Sequence, residues 1–245
     1  MKKYAVIWCS PVAGDVTLQA RISAAFSRED EQWDVLHPES EGFLASALDY
    51  SGLVISGSPK SVVHDADTPL VRNLLACIRA ADGKGDIPVI GLCFGAQAIG
   101  AALGGRVEKN PSGQFKLGVD RLNWSEQARA LLDESITAAP AALVQSHGEC
   151  VASLPADSVR LAGSATIPNE VFLVKQRFLG IQGHPEVDSA LLRQKFMAYH
   201  RRLFDDVQWA RVERESRQPV EPAPVIALGR RLLDQGRLFQ HGAGA

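Results

Sequence analysis

The stretch Pro88-Val89-Ile90-Gly91-Leu92-Cys93-Phe94-Gly95-Ala96-Gln97 constrains this chain most: a continuous apolar strand runs without a loop into a helix, and glycines flank a cysteine two places away on either side. A side chain carried on so sharp a strand-to-helix turn needs small neighbours, because the backbone is strained and any ligand must approach it closely. A strand apolar along its length is buried on both faces, which places it inside a mostly parallel sheet covered by helices. Cys93 would stand at the N-terminus of the helix from Phe94, where the helix dipole favours a thiolate and hence a nucleophile. It fits equally well a plain buried hydrophobe closing a central strand, the usual fate of a free cysteine.

The alternation of short β-rich runs with amphipathic stretches fills the first hundred residues. Tyr4 to Cys9, Trp33 to Leu36, Leu53 to Ser56 and Pro88 to Leu92 read as strands, and Val16 to Ser27, Phe43 to Leu48, Pro69 to Ala81 and Phe94 to Leu103 as the helices between them. That order is the signature of βαβ units with helices on both faces of the sheet. After Gly104-Gly105 come short alternating runs: Val107, Leu117 to Leu122, Ala142 to Gln145, Val159 to Ala162, Val171 to Lys175 and Phe178 to Gln182, with a helical turn at Leu131 and Leu132. These are expected to extend the sheet in antiparallel or mixed fashion. Asp188 caps a helix expected to run from Ser189 towards Phe204, with Leu191, Leu192, Phe196, Tyr199 and Leu203 on one face.

With 245 residues, 46% of them hydrophobic and 22% charged, the chain has ample material for one sizeable α/β domain. We place that domain at residues 1–204 and a C-terminal helical extension at 205–245, where Pro219, Pro222 and Pro224 separate two helical pieces. Leu228, Leu232 and Leu233 on the second piece form a stripe suited to packing on the domain. A net charge of -2 gives no electrostatic footprint for a nucleic acid. No apolar stretch approaches the roughly 18 residues of a membrane span, and the six apolar residues after Met1-Lys2-Lys3 are too short for a signal peptide. Cys9, Cys77, Cys93 and Cys150 form no C-x-x-C pair and read as reduced thiols of a cytoplasmic protein. His37 and His64 lack a second ligand at metal spacing, and no Walker pattern marks a nucleotide site, so neither metal nor cofactor is expected.

A nucleophilic cysteine needs a base to move its proton and a partner to orient that base. Leu179-Gly180-Ile181-Gln182-Gly183-His184-Pro185-Glu186 offers both, since Pro185 restricts the backbone between the imidazole of His184 and the carboxylate of Glu186. Taken alone, His184 could instead be a satisfied strand-end histidine and Glu186 a first-turn helix acid.

Together these motifs resemble the class I glutamine amidotransferases, whose triad is Cys, His and Glu in an elbow G-x-C-x-G and a later H-P-E. The resemblance spans roughly residues 4 to 204 and includes Gly52-Leu53-Val54-Ile55-Ser56-Gly57-Ser58-Pro59, similar to the family's oxyanion strand and turn, and Gln145-Ser146-His147-Gly148-Glu149, similar to the S-H-G-D segment of GMP synthetase glutaminase domains. Glu31-Gln32-Trp33-Asp34, Asp65-Ala66-Asp67 and Ile181 to Glu186 resemble the stand-alone γ-glutamyl peptidases. Ala96 departs from the family, where histidine or methionine commonly stands between Gly and Gln.

The resemblance implies a three-layer flavodoxin-like fold and a cysteine hydrolase that cleaves a γ-glutamyl amide, glutamine or a γ-glutamyl peptide or conjugate, through a γ-glutamyl thioester. Cys93, His184 and Glu186 would be catalytic. Gly57, Ser58 and Phe94 would form the oxyanion hole, and Gln97, Gln145, Ser146 and His147 would hold the substrate. For Gln97 an amide capping a neighbouring loop is the competing reading, and for His147 a structural loop histidine. The expected partner is the small substrate, joined by a synthase if the chain is a glutaminase subunit. A binding or regulatory protein on the same fold, catalytically silent, is the alternative from another class.

Overall fold

Along β1 (Lys3–Ile7) Tyr4 and Val6 enter one apolar core while Ala5 and Ile7 enter another, so the first strand already separates the two faces of a sheet. The computed structural model describes residues 1–10 and 16–239. The α1 helix (Val16–Phe26) leads to β2 (Gln32–Leu36), α2 (Phe43–Ala47) to β3 (Gly52–Ile55), and α3 (Pro69–Lys84) to β4 (Val89–Leu92), which feeds α4 (Phe94–Ala102). After α4 come β5 (Arg106–Lys109), β6 (Lys116–Arg121), β7 (Asn123–Trp124), α5 (Glu126–Leu131), α6 (Glu134–Thr137), β8 (Ala142–His147), β9 (Glu149–Ser153), β10 (Ser158–Gly163), β11 (Val171–Val174) and β12 (Phe178–Ile181).

An eight-stranded sheet has the order β2-β1-β3-β4-β12-β11-β10-β7. It is parallel from β2 to β12 and antiparallel beyond, the mostly parallel arrangement expected of a flavodoxin-like fold. Phe26 and Ile22 of α1 cover one face, and Leu70, Leu74 and Ile78 of α3 with Phe94 of α4 cover the other. The strands β3, β4 and β12 are buried at every position. Their C-terminal ends lie side by side, with Ile55 paired to Gly91 and Leu92 to Ile181. The crevice beyond the carboxyl ends of parallel strands is where open α/β sheets bind ligands.

The second half corrects the sequence reading in detail. The runs around Val107, Leu117 to Leu122 and Ala142 to Gln145 do not join the main sheet. Instead β5 pairs with β9, a strand not expected from the sequence, and β6 pairs with β8 in two separate ribbons. Alternation marks a strand but does not name its partner; Leu117, Val119, Ala142 and Val144 meet a third core with Val187, Leu192 and Val212. The helical turn expected at Leu131 and Leu132 is the end of α5.

The helix expected over 189–204 is also interrupted. Here α7 (Ser189–Leu191), capped by the Asp188 side chain, passes into a π turn over Leu192–Met197, then α8 (Ala198–His200) and a 3-10 turn over Arg201–Leu203. A π turn inserts an extra residue and rotates the helix beyond it. Met197 takes a buried position, and Tyr199 and Leu203 turn outward to 62% and 49% exposure.

The tail folds as α9 (Asp206–Glu215), closed by a capping box between Asp205 and Gln208, and α10 (Ala223–Gln235). Leu228, Leu232 and Leu233 of α10 share the core of Tyr4, whose hydroxyl donates to the Leu233 carbonyl at 3.1 Å. Among the described residues no helix is long and apolar enough to cross a membrane.

Candidate active site

Cys93 sits between β4 and α4 with φ 51° and ψ -104°, a conformation that costs a non-glycine residue about 1–3 kcal/mol and persists only where its surroundings enforce it. The flanking glycines explain how. A Cβ at Gly91 would lie 2.4 Å from the Gly95 carbonyl carbon and oxygen, and one at Gly95 would lie 2.6 Å from the Ile55 carbonyl oxygen. Both contacts are with backbone, so the G-x-C-x-G pattern is the only way to bring strand and helix this close.

The neighbouring strand supplies the imidazole. The Cys93 N–H donates to the Ile181 carbonyl at 2.8 Å, and His184, three residues further on, donates its own N–H to the Val144 carbonyl of β8 at 2.8 Å. His184 Nδ1 lies 2.8 Å from Glu186 Oε1, both side chains are buried, and the Cys93 sulfur acts electrostatically on the same ring. With Nδ1 engaged by the carboxylate, Nε2 is the nitrogen left for the sulfur. Burial alone would lower the pKa of His184, but the Glu186 carboxylate and the Cys93 sulfur outweigh it and raise the ring to about 10. The ring therefore carries its proton at neutral pH beside the Cys93 sulfur.

The turn after β3 closes the other side. A Cβ on Gly57 would come within 3.0 Å of His184 Cε1 and 3.8 Å of Cys93 Cβ, so a side chain there would press on the imidazole. The Ser58 hydroxyl donates to the Cys9 carbonyl at 2.7 Å, and Ser58 lines the same cavity as Cys93. Phe94 opens the first turn of α4 directly after Cys93.

The expected substrate residues are placed differently from one another. Gln97, Ser146 and His147 line a cavity of about 870 Å³ that also exposes Cys93, His184 and Gly57. Gln97 donates to the Glu149 carbonyl at 2.7 Å, so its amide ties α4 to the 145–149 segment. The Ser146 carbonyl lies 3.7 Å from Cys93 Sγ. Gln145 is fully buried and lies behind the lining; its amide bridges Glu170 Oε2 at 3.0 Å and His147 Nε2 at 3.1 Å. His147 Nδ1 lies 3.0 Å from the Glu149 carbonyl and 3.1 Å from Asn110 Oδ1. Burial and the neighbouring His184 charge push the His147 pKa down to about 3, so its ring stays neutral.

Sequence reading passed over Glu149, Glu170 and Asn110. Glu149 lines the cavity and accepts from Ser61 Oγ at 2.8 Å, with the exposed His64 ring 3.5 Å away. Only its place in Ser-His-Gly-Glu hinted at it. Among the described residues no group of three or more His, Cys, Asp or Glu is disposed to hold a metal ion. A second concavity of about 710 Å³, between α1 and α10, is lined by Arg28, Arg230, Arg231 and Asp234 and lies away from Cys93.

Glu186→Gln tests the pairing. Without the carboxylate's charge, alkylation of Cys93 at pH 7 should slow by at least about tenfold, the factor that accompanies one pKa unit. A folded-state pKa raised from 6.5 to about 10 contributes stability that is complete below pH 6.5 and lost as pH rises through 10. The gap in Tm between wild type and Glu186→Gln should therefore be widest near pH 6 and close above pH 10; a gap that does not vary with pH would refute the charge pairing.

Comparison with known proteins bears on the fold and the family. The family model described as glutamine amidotransferase class-I matches residues 18–200. GMP synthase [glutamine-hydrolyzing] from Yersinia pestis is 32% identical over 163 residues, covering 63% of this chain and 28% of that protein, so the chain spans under a third of the curated relatives it matches. A glutamine amido transferase structure from Methylobacillus flagellatus aligns with a TM-score of 0.65 at 22% identity, covering 100% of this chain and 99% of that one. A glutamine amidotransferase structure from Thermotoga maritima aligns with a TM-score of 0.63 at 18% identity, covering 96% and 92%. These two likenesses show the fold, and the family model, matched over well more than half of the 245 residues, shows the kinship: the chain belongs to the class I glutamine amidotransferases.

Proposed function

We propose that this chain hydrolyses γ-glutamyl amides through a thioester on Cys93, with a leaving group larger than ammonia. The observation that carries the reading is the Cys93, His184 and Glu186 line opening into a cavity of about 870 Å³, a size that holds drug-sized ligands. The Cys93 thiolate attacks the γ-carbonyl carbon, and the carbonyl oxygen takes up the negative charge against the backbone N–H groups of Phe94 and Ser58, the turn being kept open by Gly57. Collapse breaks the C–N bond as His184 gives its proton to the departing nitrogen. Water, deprotonated by the now neutral His184, then cleaves the thioester and releases glutamate. Glu186 orients the ring and stabilises its cationic form. Gln97, Ser146, His147 and the Glu149 carboxylate face the glutamyl group, whose ammonium matches Glu149 in charge.

The leaving group lies on the proton donor's side. The Phe196 ring packs edge-on to His184 at 5.3 Å between centroids, and Phe115, Tyr199 and Leu203 continue that wall with Lys195 and Arg202 at its rim. His200, its ring tilted against Phe115 at 4.5 Å between centroids, is held neutral by burial, its pKa lowered to about 4. Apolar walls with a cationic rim fit an apolar or aromatic amino acid that keeps its carboxylate. With purified protein, kcat/KM should be at least about tenfold higher for γ-glutamyl-phenylalanine than for γ-glutamyl-lysine or glutamine. Preference for glutamine would overturn the larger leaving group.

The similarity to GMP synthase supports a second reading, a glutaminase unit serving a synthase. Glutamine turnover that appears only on adding a synthase partner would favour it.

A further inference from the structure

Glu170 lies immediately before β11, fully buried, and its carbonyl accepts the Gln182 N–H at 2.7 Å. One carboxyl oxygen contacts the Gln145 amide at 3.0 Å, and the other, Oε1, has no hydrogen-bond partner among the described residues. A buried anion served by so few donors would be poorly compensated. The groups facing it are Lys116 and Asp120 from β6, Gln145 from β8, Cys150 from β9, Ser164 beyond β10, and Gln182 beyond β12. Lys116 is itself paired with Asp120 at 2.7 Å and with Glu215 at 3.0 Å, so its charge is already met.

The direction of the hydrogen bonds is set by Asn110. Its Nδ2 donates to the His147 carbonyl at 2.8 Å and to the Gln114 carbonyl at 3.0 Å, which fixes its Oδ1 towards His147 Nδ1. Because Nδ1 faces two acceptors, Asn110 Oδ1 and the Glu149 carbonyl, it carries the ring's proton. The structure sets Gln145 Oε1 3.1 Å from Nε2 and Gln145 Nε2 3.0 Å from Glu170 Oε2, but on a neutral ring with its proton on Nδ1 the other nitrogen is an acceptor, so the amide is to be turned end for end with its nitrogen towards His147. The two ends of an amide are interchangeable in placement, and the network decides between them. The Gln145 oxygen is thereby turned to Glu170, which needs a proton to donate to it. The opposite orientation would set a buried carboxylate on the Gln145 nitrogen and leave His147 either a buried imidazolium beside the charged His184 or a neutral ring whose Nδ1 lone pair faces two acceptors.

We propose that Glu170 is a positioning residue acting as a buried neutral carboxylic acid: its O–H donates to Gln145, the Gln145 amide donates to His147 Nε2, and the chain holds the 144–147 backbone against the catalytic pair. That backbone touches both partners, the Val144 carbonyl receiving the His184 N–H at 2.8 Å and the Ser146 carbonyl lying 3.7 Å from Cys93 Sγ. Burial, with Asp120 adding to it, raises the Glu170 pKa to about 8. Loss of the proton leaves two acceptors competing for one amide nitrogen and loosens the segment. For activity the inference rests on the hydrolase reading above; for the proton on Glu170 it does not.

Two measurements separate these. Infrared spectra of wild type at pH 6 and pH 10 should show the band of a protonated carboxylic acid that titrates near pH 8 and is missing in Glu170→Gln, whether or not the protein turns over a γ-glutamyl amide. A raised carboxyl pKa means stability is lost as pH climbs from about 4.5 through 8. The Tm of wild type should accordingly fall relative to Glu170→Gln over that window and run parallel to it above. In turnover, Glu170→Gln, which keeps an N–H donor and no charge, should retain kcat within about twofold at pH 7 and lose the alkaline limb near pH 8. Glu170→Ala should lower kcat at least about tenfold with a smaller change in KM. Absence of the infrared band, or an alkaline limb unchanged in Glu170→Gln, would overturn the proposal.

Discussion

Cys93→Ser should abolish turnover of a γ-glutamyl amide, with kcat reduced by at least about 10³-fold, while Tm shifts by no more than about 3 °C. The substitution is nearly isosteric and the side chain is only 5% exposed, so packing is preserved. What changes is the atom: beside the same imidazole a serine hydroxyl is a far weaker nucleophile than a cysteine sulfur. Retained turnover in the serine variant would remove Cys93 from the mechanism, and with it the thioester. A glutamine-like electrophile followed by mass spectrometry supplies the complementary test, with the adduct expected at Cys93 and lost in the variant.

Gly91→Ala should have the largest effect on stability. The added methyl would lie 2.4 Å from two backbone atoms of Gly95 and 2.7 Å from the Ala96 nitrogen, none of which can swing aside as a side chain would. Relief requires moving the start of α4 away from β4, at a cost of about 3 kcal/mol or more and a fall in Tm of roughly 6 to 12 °C. Activity should fall further than stability, because the same displacement carries Cys93 away from His184. A loss under about 1 kcal/mol in denaturant unfolding would show that the elbow has more room than these distances allow.

How much of this was legible in the sequence depended on whether a feature is local. The elbow and the His-Pro-Glu segment announce themselves within a few residues, since each combines a strand pattern with a residue type that chemistry demands at its end. That β4 and β12 are neighbours was not written in either segment; it comes from the pairing of strands far apart in the chain, visible only as Leu92 beside Ile181. The side chain of Gln145 shows the limit clearly. Its motif implies contact with substrate, yet the pairing of β8 with β6, which sets Gln145 opposite Gly118, leaves it fully buried and its amide engaged by Glu170 and His147. The break in the helix after Leu191 was hidden for another reason: a π turn keeps the apolar residues helical in spacing on paper and shifts only their phase.

The side-by-side placement of β4 and β12 also sets an order of events during synthesis. A nascent chain that ends before position 184 carries the cysteine and its turn but lacks His184, the imidazole that Glu186 orients. The base arrives only when β12 slides in between β4 and β11, long after the first four strands have been made. The order in which the strands are laid down thus places the turn that carries the sulfur first and its base last.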